Sequence, residues 1–162
     1  MESGVADRVE GREEAGRARP ARKLRLRGAA LALPCLAALV LAAGLTPRRA
    51  GHGTHEDLGF PPCQFFMRTG YPCPSCGLTT SFAAMAHGRF VEAFLAHPFG
   101  VLFFVATALV ALVGLAELLS GRDALRLLRP GPWWAVVALG GMLGGWAFKI
   151  AYGVASGTLP LR

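Results

Sequence analysis

Charged side chains are scarce in this sequence, and each of its three longest apolar stretches contains at most one. Asp, Glu, Lys and Arg make up only 17% of the 162 residues, against 53% hydrophobic residues. The apolar residues do not alternate with polar ones, which argues against the amphipathic elements of a water-soluble core. Long uncharged runs are instead typical of helices that cross a lipid bilayer, where backbone groups must pair internally.

Three runs are long enough for a membrane-spanning helix, which needs roughly 20 apolar residues. The first, residues 28–45, contains no charged residue. The second, residues 98–119, contains only Glu117, and the third, residues 132–154, contains only Lys149. The sequence therefore predicts an all-α integral membrane protein with three transmembrane helices, located in the cell membrane with the lipid bilayer as its partner.

Acidic residues are also few, and the resulting net charge of +7 raises the question of nucleic-acid binding. The basic residues are concentrated in residues 1–27, directly before the first run, and in the 120–131 loop, at Arg122, Arg126 and Arg129. This is the distribution that the positive-inside rule predicts for cytoplasmic flanks. We therefore expect no nucleic-acid partner, a cytoplasmic N-terminus, an extracytoplasmic segment at 46–97 and a short C-terminal tail at 155–162.

Large apolar side chains are almost absent from residues 1–27, so this segment cannot bury enough surface to offset the entropy of ordering. We expect a disordered basic cytoplasmic tail. The basic flank, the first run and the small residues Ala42, Ala43 and Gly44 also resemble a cleaved signal peptide. Both the basic region and the run are long for one, which favours an uncleaved anchor, and either interpretation exports the segment that follows.

Cysteine is scarce as well, yet three of the four cysteines fall within fourteen positions, at Cys63, Cys73 and Cys76. They belong to a segment, residues 46–77, whose proline and glycine content is typical of an extramembrane loop. Cys35 lies apart from them in the first run and is expected to be a small packed residue.

A short helix is predicted to follow the cysteine turn, because apolar residues recur at helical spacing across residues 78–97. Gly88 is expected to interrupt it. The ten residues from Leu78 to His87, before this interruption, are too few to span a bilayer, so we expect the element to lie in the membrane interface or to insert partly.

The C-P-S-C-G stretch from Cys73 to Gly77 is compatible with three kinds of site. Neighbouring cysteines on an oxidising membrane face tend to pair, and a stapled loop with a structural or interaction role, without enzymatic activity, is the leading interpretation. Alternatively, Cys73 and Cys76 form a redox pair in which the helix dipole lowers the pKa of the attacking thiol, Cys73. A second cysteine pair, as in membrane-bound disulfide-forming enzymes, is missing from the sequence.

A zinc site is the third interpretation of the cysteine turn, because two thiolates on a tight turn can bind one metal ion. Cys63 is the candidate third ligand, and the candidates for the fourth are His52, His55, His87 and His97. The C-x-x-C pair is not repeated, which weakens this signal. We therefore identify no cofactor from the sequence and retain zinc as an alternative.

The third run contains two overlapping G-x-x-x-G patterns, which allow helices to approach closely in a membrane. The four glycines are Gly140, Gly141, Gly144 and Gly145. Their partner is either a helix of the same chain or a second chain in a homo- or hetero-oligomer. Lys149 lies near the outer end of the same run, where its stem is long enough to snorkel outward.

The cysteine block resembles a family of small bacterial membrane proteins, domain of unknown function 2752 (DUF2752). The resemblance covers roughly residues 60–120 and is carried by Cys63, Thr69-Gly70, Cys73 through Thr79, Gly88, Ala93 and His97-Pro98. The sequence departs from the family pattern at Thr80, where Arg is frequent, and at His97, where Asn is frequent. The family has no established activity, so the resemblance implies one site formed by the three cysteines without specifying its chemistry.

Overall fold

The computed structural model describes residues 3–48, 50–124, 131 and 133–157, with side chains from residue 21 onward. Its six α-helices in these ranges are α1 (Ser3–Gly44), α2 (Gln64–Thr69), α3 (Leu78–Ala86), α4 (Phe90–Ala96), α5 (Pro98–Ser120) and α6 (Trp133–Ala155). A short 3-10 helix covers Thr54–Leu58. Strands are absent from the described residues, so the predicted all-α class is confirmed.

Three helical segments are long and apolar enough to cross a membrane, namely Ala21–Gly44 of α1, all of α5 and all of α6. Within their most apolar windows, only 17%, 17% and 6% of the residues are buried by the rest of the chain. Their large apolar side chains therefore mostly face outward, where lipid satisfies them and water does not. These helices make the chain a multi-pass membrane protein, as the sequence predicted.

Helix α1 begins at Ser3, well ahead of the apolar run at 28–45. The N-terminal segment that was expected to be disordered is thus helical backbone in the structure. The prediction of disorder depends only on how little apolar surface the segment can bury. Ala, Arg and Glu, which dominate it, are strong helix formers, and extending an existing helix avoids the cost of nucleating a new one.

The 46–77 and 78–97 segments contain more regular structure than the predicted loop and single helix. The 46–77 segment includes the 3-10 helix and α2, and the 78–97 segment divides into α3 and α4, which pack against each other. The division falls at Gly88, whose φ is +71°. Helix α5 then begins with Pro98, a residue suited to the first position of a helix because its missing N–H has no partner there.

The chain divides into two compact units. The first comprises Met1–Leu36 and Leu109–Arg129, and the second comprises Ala37–Ala108 and Pro130–Arg162. In the first unit, α1 and α5 approach closely at two glycines. A β-carbon on Gly28 would lie 2.6 Å from the carbonyl oxygen of Gly114, so neither position has room for a larger residue.

An ion-pair cluster lies beside this close approach in the first unit. Arg27 donates from Nη2 to Glu117 Oε1 at 2.6 Å and from Nε to Glu117 Oε2 at 3.1 Å, and Nη2 also donates to Asp123 Oδ1 at 2.6 Å. The Glu117 side chain is fully buried, whereas that of Arg27 is 40% exposed. The lone acidic residue of the second run is therefore paired with the basic flank of the first. Arg126 and Arg129, on which the predicted topology also depends, lie outside the described residues.

Candidate cysteine site

The structure brings together the three cysteines that the sequence placed in one site. The Sγ atoms of Cys63, Cys73 and Cys76, here called the sulfur cluster, all lie within 4.8 Å of one another. Cys63 is the residue immediately before α2, and the other two precede α3, so the cluster joins the starts of two short helices. Cys35 lies in α1 and belongs to the other unit.

Gly77 makes the turn between the cysteines and α3. Its φ of +94° is in the left-handed region, which a side chain disfavours. A β-carbon there would also contact the Nζ atom of Lys149 and would lie 2.5 Å from the Ala96 carbonyl oxygen and 2.8 Å from that of Gly51. Both the conformation and the crowding therefore require glycine directly after Cys76.

The two cysteines of the C-x-x-C pair have different environments. Their Sγ atoms are 3.2 Å apart and are not joined by a disulfide. Cys73 is partly exposed, whereas Cys76 is only 6% exposed. The disulfide expected among the three cysteines stays a prediction. Burial raises the pKa of the Cys73 thiol, but its hydrogen bonds with Ser75, Cys76 and Cys63 outweigh this effect and lower that pKa to about 7.

The pKa of the Cys76 thiol shifts in the opposite direction. Burial raises it, and the hydrogen bonds with Cys73 and Cys63 raise it further, to about 12. At neutral pH the exposed member of the pair therefore carries thiolate character, and the buried member keeps its proton.

Three side-chain N–H donors hold alternate backbone carbonyls of the cysteine loop. The pairs are Trp146 Nε1 to Pro72 O at 2.7 Å, His97 Nε2 to Pro74 O at 3.0 Å, and Lys149 Nζ to Cys76 O at 3.1 Å. Two of these donors lie on α6 and one lies between α4 and α5, all within the second unit. The loop is thus held in position by side chains from distant parts of the sequence.

Lys149 binds backbone carbonyls on two sides of the cysteine site. Besides the Cys76 carbonyl, its ammonium group donates to Gly51 O at 2.7 Å. In the described part of the chain, no carboxylate forms an ion pair with it. Its charge is close enough to Cys73 and Cys76 to interact with theirs. A thiolate on either cysteine would therefore offset part of this positive charge.

His97 is fully buried and serves as a positioning residue of the loop. Because Nε2 donates to a carbonyl, Nδ1 must carry the lone pair, and it is buried with no hydrogen-bond partner among the described residues. Burial lowers the pKa of His97, and the positive charge of Lys149 lowers it further, although the bond to Pro74 opposes both. The ring is therefore neutral near pH 7.

None of the four histidines considered as a fourth zinc ligand joins the sulfur cluster in the described residues. His52 donates from Nδ1 to the carbonyl oxygen of Ala50, and His87 does the same to that of Ala83, both at 2.8 Å. His55 lies in the 3-10 helix. A closed four-ligand site of the kind considered from the sequence is therefore not assembled by these side chains.

The four glycines of α6 separate into two pairs. A β-carbon on Gly145 would lie 2.7 Å from His97 Cε1, and one on Gly141 would lie 2.6 Å from Phe99 Cδ2. Gly140 and Gly144 have no atom within 4 Å of such a β-carbon. One glycine pair therefore makes room for the His97 region of the same chain, while packing through the other pair stays a prediction.

The position of Trp146 in the sequence does not predict a role in the site, because a tryptophan near a helix end is typical of a membrane boundary. A usable signal was present, since Trp146 and Lys149 are three residues apart and therefore share a helix face. A second missed contact is the buried hydrogen bond of 2.8 Å between the hydroxyl groups of Thr54 and Thr80, which ties the 3-10 helix to α3.

Residues 63–111 match the family model described as "Protein of unknown function (DUF2752)". No curated protein and no solved structure matches the chain. The matched segment contains the whole sulfur cluster together with His97, but it ends before Trp146 and Lys149. This match supports the family that the cysteine motif indicated, and that family is of unknown function.

Proposed function

We propose that this membrane protein performs thiol–disulfide exchange, with Cys73 as the attacking thiol and Cys76 as the resolving thiol. The observation that carries the proposal is the asymmetry of the pair, whose sulfur atoms are 3.2 Å apart with one partly exposed and the other buried. A partner disulfide reaches the partly exposed sulfur of Cys73 first. The buried sulfur of Cys76 is then close enough to attack the mixed disulfide that forms on Cys73.

The reaction proceeds in two steps and transfers two electrons. The Cys73 thiolate attacks one sulfur of a partner disulfide, which forms a mixed disulfide and releases the other partner sulfur as a thiolate. Cys76 then attacks the Cys73 sulfur and gives up its proton, which forms the Cys73–Cys76 disulfide and releases the second partner thiol. The cysteine pair is oxidised, the partner disulfide is reduced, and the reverse sequence oxidises a partner dithiol.

A permanent disulfide that staples the loop, with a structural or interaction role, is the alternative function. The hydrogen bonds from Trp146, His97 and Lys149 support exchange over stapling, because they hold the loop while both thiols are reduced. A loop that keeps its shape without a disulfide can cycle between the two redox forms.

The proposed location is the extracytoplasmic side of the cell membrane. The basic residues of the N-terminal segment support a cytoplasmic N-terminus. The cysteine loop joins the C-terminal end of α1 to the elements that lead into α5, so it then lies on the opposite side from the N-terminus. Disulfide exchange is common in that oxidising environment.

Glutathione disulfide provides a defined probe of the reaction. With Cys76→Ser in the reduced full-length protein, the mixed disulfide should accumulate on Cys73, because the resolving thiol is missing. Intact-mass analysis measures the adduct. Cys35→Ser is the matched control and should resolve the mixed disulfide as the unsubstituted protein does.

Thiol trapping in native membranes separates exchange from a permanent staple. Exchange predicts that the Cys73–Cys76 pair is recovered in both redox forms and shifts with added reductant. A pair that stays oxidised before and after mild reductant, or a Cys76→Ser protein that forms no adduct, would contradict exchange and favour the staple.

A further inference from the structure

Cys63 forms no covalent bond in a two-cysteine exchange reaction, yet its sulfur lies in the cluster. All three Sγ atoms are within 4.8 Å of one another, although Cys63 is ten residues before Cys73 and stands at the start of a different helix. Two helix starts therefore direct three soft sulfur ligands at one point.

The spacing of the three sulfurs suits a common metal ion. Zinc binds thiolates at about 2.3 Å, and tetrahedral geometry then places the sulfurs about 3.8 Å apart. The observed separations extend from the 3.2 Å between Cys73 and Cys76 up to the limit of 4.8 Å. Side-chain shifts of about 1 Å or less bring the three atoms to the required spacing.

The charge of the surroundings also suits a metal–thiolate centre. A zinc ion with three thiolates has a net charge of −1, and Lys149 supplies one positive charge beside it. This ammonium group is bonded to the Cys76 and Gly51 carbonyls and has no carboxylate partner among the described residues. Unbalanced cations are costly in a membrane helix, so the centre and Lys149 stabilise each other.

We propose that Cys63, Cys73 and Cys76 bind a zinc ion through three thiolates, with Lys149 as the neighbouring counter-charge. The fourth coordination position is left for water or an external ligand, since the histidines are not in the cluster. Zinc binding does not depend on the exchange function proposed above, but it acts on the same atoms. A bound ion keeps Cys73 and Cys76 reduced, so zinc and the disulfide exclude each other.

The test uses the full-length protein in detergent, reduced and treated with a chelator, to which zinc or Co²⁺ is added. One equivalent of zinc should bind and protect three of the four thiols from alkylation until chelator is added again. Co²⁺ should produce a thiolate charge-transfer absorption band. Peptide mass analysis should identify Cys63, Cys73 and Cys76 as the protected residues.

Four variants make the test specific. Cys63→Ser should weaken zinc binding at least tenfold, and Cys35→Ser should leave it unchanged. Lys149→Met should weaken it, whereas Lys149→Arg should retain most of it because the positive charge remains. Equal melting temperatures establish that a variant is folded. The protection pattern of the unsubstituted protein decides the question even where a variant fails to fold.

Two results would overturn the zinc site: Cys63→Ser binding zinc as tightly as the unsubstituted protein, or all four thiols alkylating freely at one equivalent of zinc. The glutathione reaction distinguishes this failure from failure of the exchange proposal. If zinc does not bind, the unsubstituted, metal-free protein should still form and resolve the mixed disulfide, because that reaction needs only Cys73 and Cys76.

Discussion

Each of the two units contains one notable cation, Arg27 in the first and Lys149 in the second. Their positive charges are neutralised in different ways. In the first unit, Arg27 faces two carboxylates, those of Glu117 and Asp123. In the second unit, Lys149 donates to two backbone carbonyls, and its charge interacts with the thiols of the cysteine loop. The Arg27 charge is already paired, so this contact joins α1 to α5. The Lys149 charge remains available to an anion that forms at the sulfurs.

The two contacts also depend on glycine in different ways. Gly28 and Gly114 let two helix backbones meet, whereas Gly145 leaves space for the ring of a single buried histidine. Substitution at the first contact should therefore separate two helices, and substitution at the second should displace a hydrogen-bond donor of the cysteine loop. The following experiments test this division.

The largest effect is expected for Gly145→Leu. Its side chain would overlap the His97 ring and crowd Phe99, so we expect a loss of about 3 kcal/mol in stability and little monodisperse protein. Gly144→Leu is the matched control, because no atom lies within 4 Å of its β-carbon position. Yield and melting temperature in detergent measure both. Equal damage from Gly144→Leu would show that a second chain packs on that glycine.

A large difference in reactivity is expected between the two cysteines of the pair in reduced, zinc-free protein. The lowered pKa means that the Cys73 thiolate is present above about pH 7 and is lost below it, so alkylation should reach half its maximum rate there. Cys76, with a pKa of about 12, should react more than roughly a hundredfold more slowly at neutral pH. Peptide mass analysis over a pH series measures both rates. A Cys73 midpoint near pH 9 would remove the proposed asymmetry.

A moderate effect is expected when the first-unit ion pair is weakened. Glu117→Gln keeps the size of the side chain but removes the charge that faces Arg27, so the melting temperature should fall by roughly 5 °C. Glu92→Gln is the control, because Glu92 pairs with Arg89 at an exposed position. This variant should change the melting temperature by about 1 °C or less. Cysteine alkylation should be unchanged in both. An altered Cys73 rate in Glu117→Gln would mean that the two contacts are coupled.

The smallest effect is expected for Trp146→Phe, which retains an aromatic ring but removes the N–H that donates to Pro72 O. Loss of one hydrogen bond should cost about 1 kcal/mol and increase the alkylation rate of Cys76 a few-fold by loosening the loop. Trp133→Phe, on the exposed side of the same helix, is the control. No change in the Cys76 rate would mean that His97 and Lys149 hold the loop without Trp146.

The apolar helices could be predicted because a bilayer imposes a strong and simple requirement on sequence. Long apolar runs with at most one charged residue each identified all three candidate spans, and the C-P-S-C-G block indicated the family. The N-terminal segment was harder, because low burial and high helix propensity point in opposite directions for an Ala-, Arg- and Glu-rich stretch.

The contacts of the two cations could not be predicted from the sequence. Arg27 and Glu117 are 90 residues apart, and each is unremarkable in its own segment, so only the approach of α1 and α5 reveals the pair. The Lys149 ammonium group can bind water and lipid headgroups or backbone carbonyls of a neighbouring segment, and the sequence does not distinguish these partners. The choice depends on where the Gly51 and Cys76 carbonyls lie.

The order in which the chain is synthesised gives the cysteine loop an unusual dependence on its last helix. The residues of the loop emerge from the ribosome well before α6, which contributes Trp146 and Lys149. Until that helix has been inserted beside the earlier ones, two of the three carbonyl contacts are missing and the sulfurs are free to react in other arrangements. A chain that stops before residue 133 would contain every cysteine of the family motif but only His97 to hold the loop, so correct assembly of the site reports that the final helix is in place.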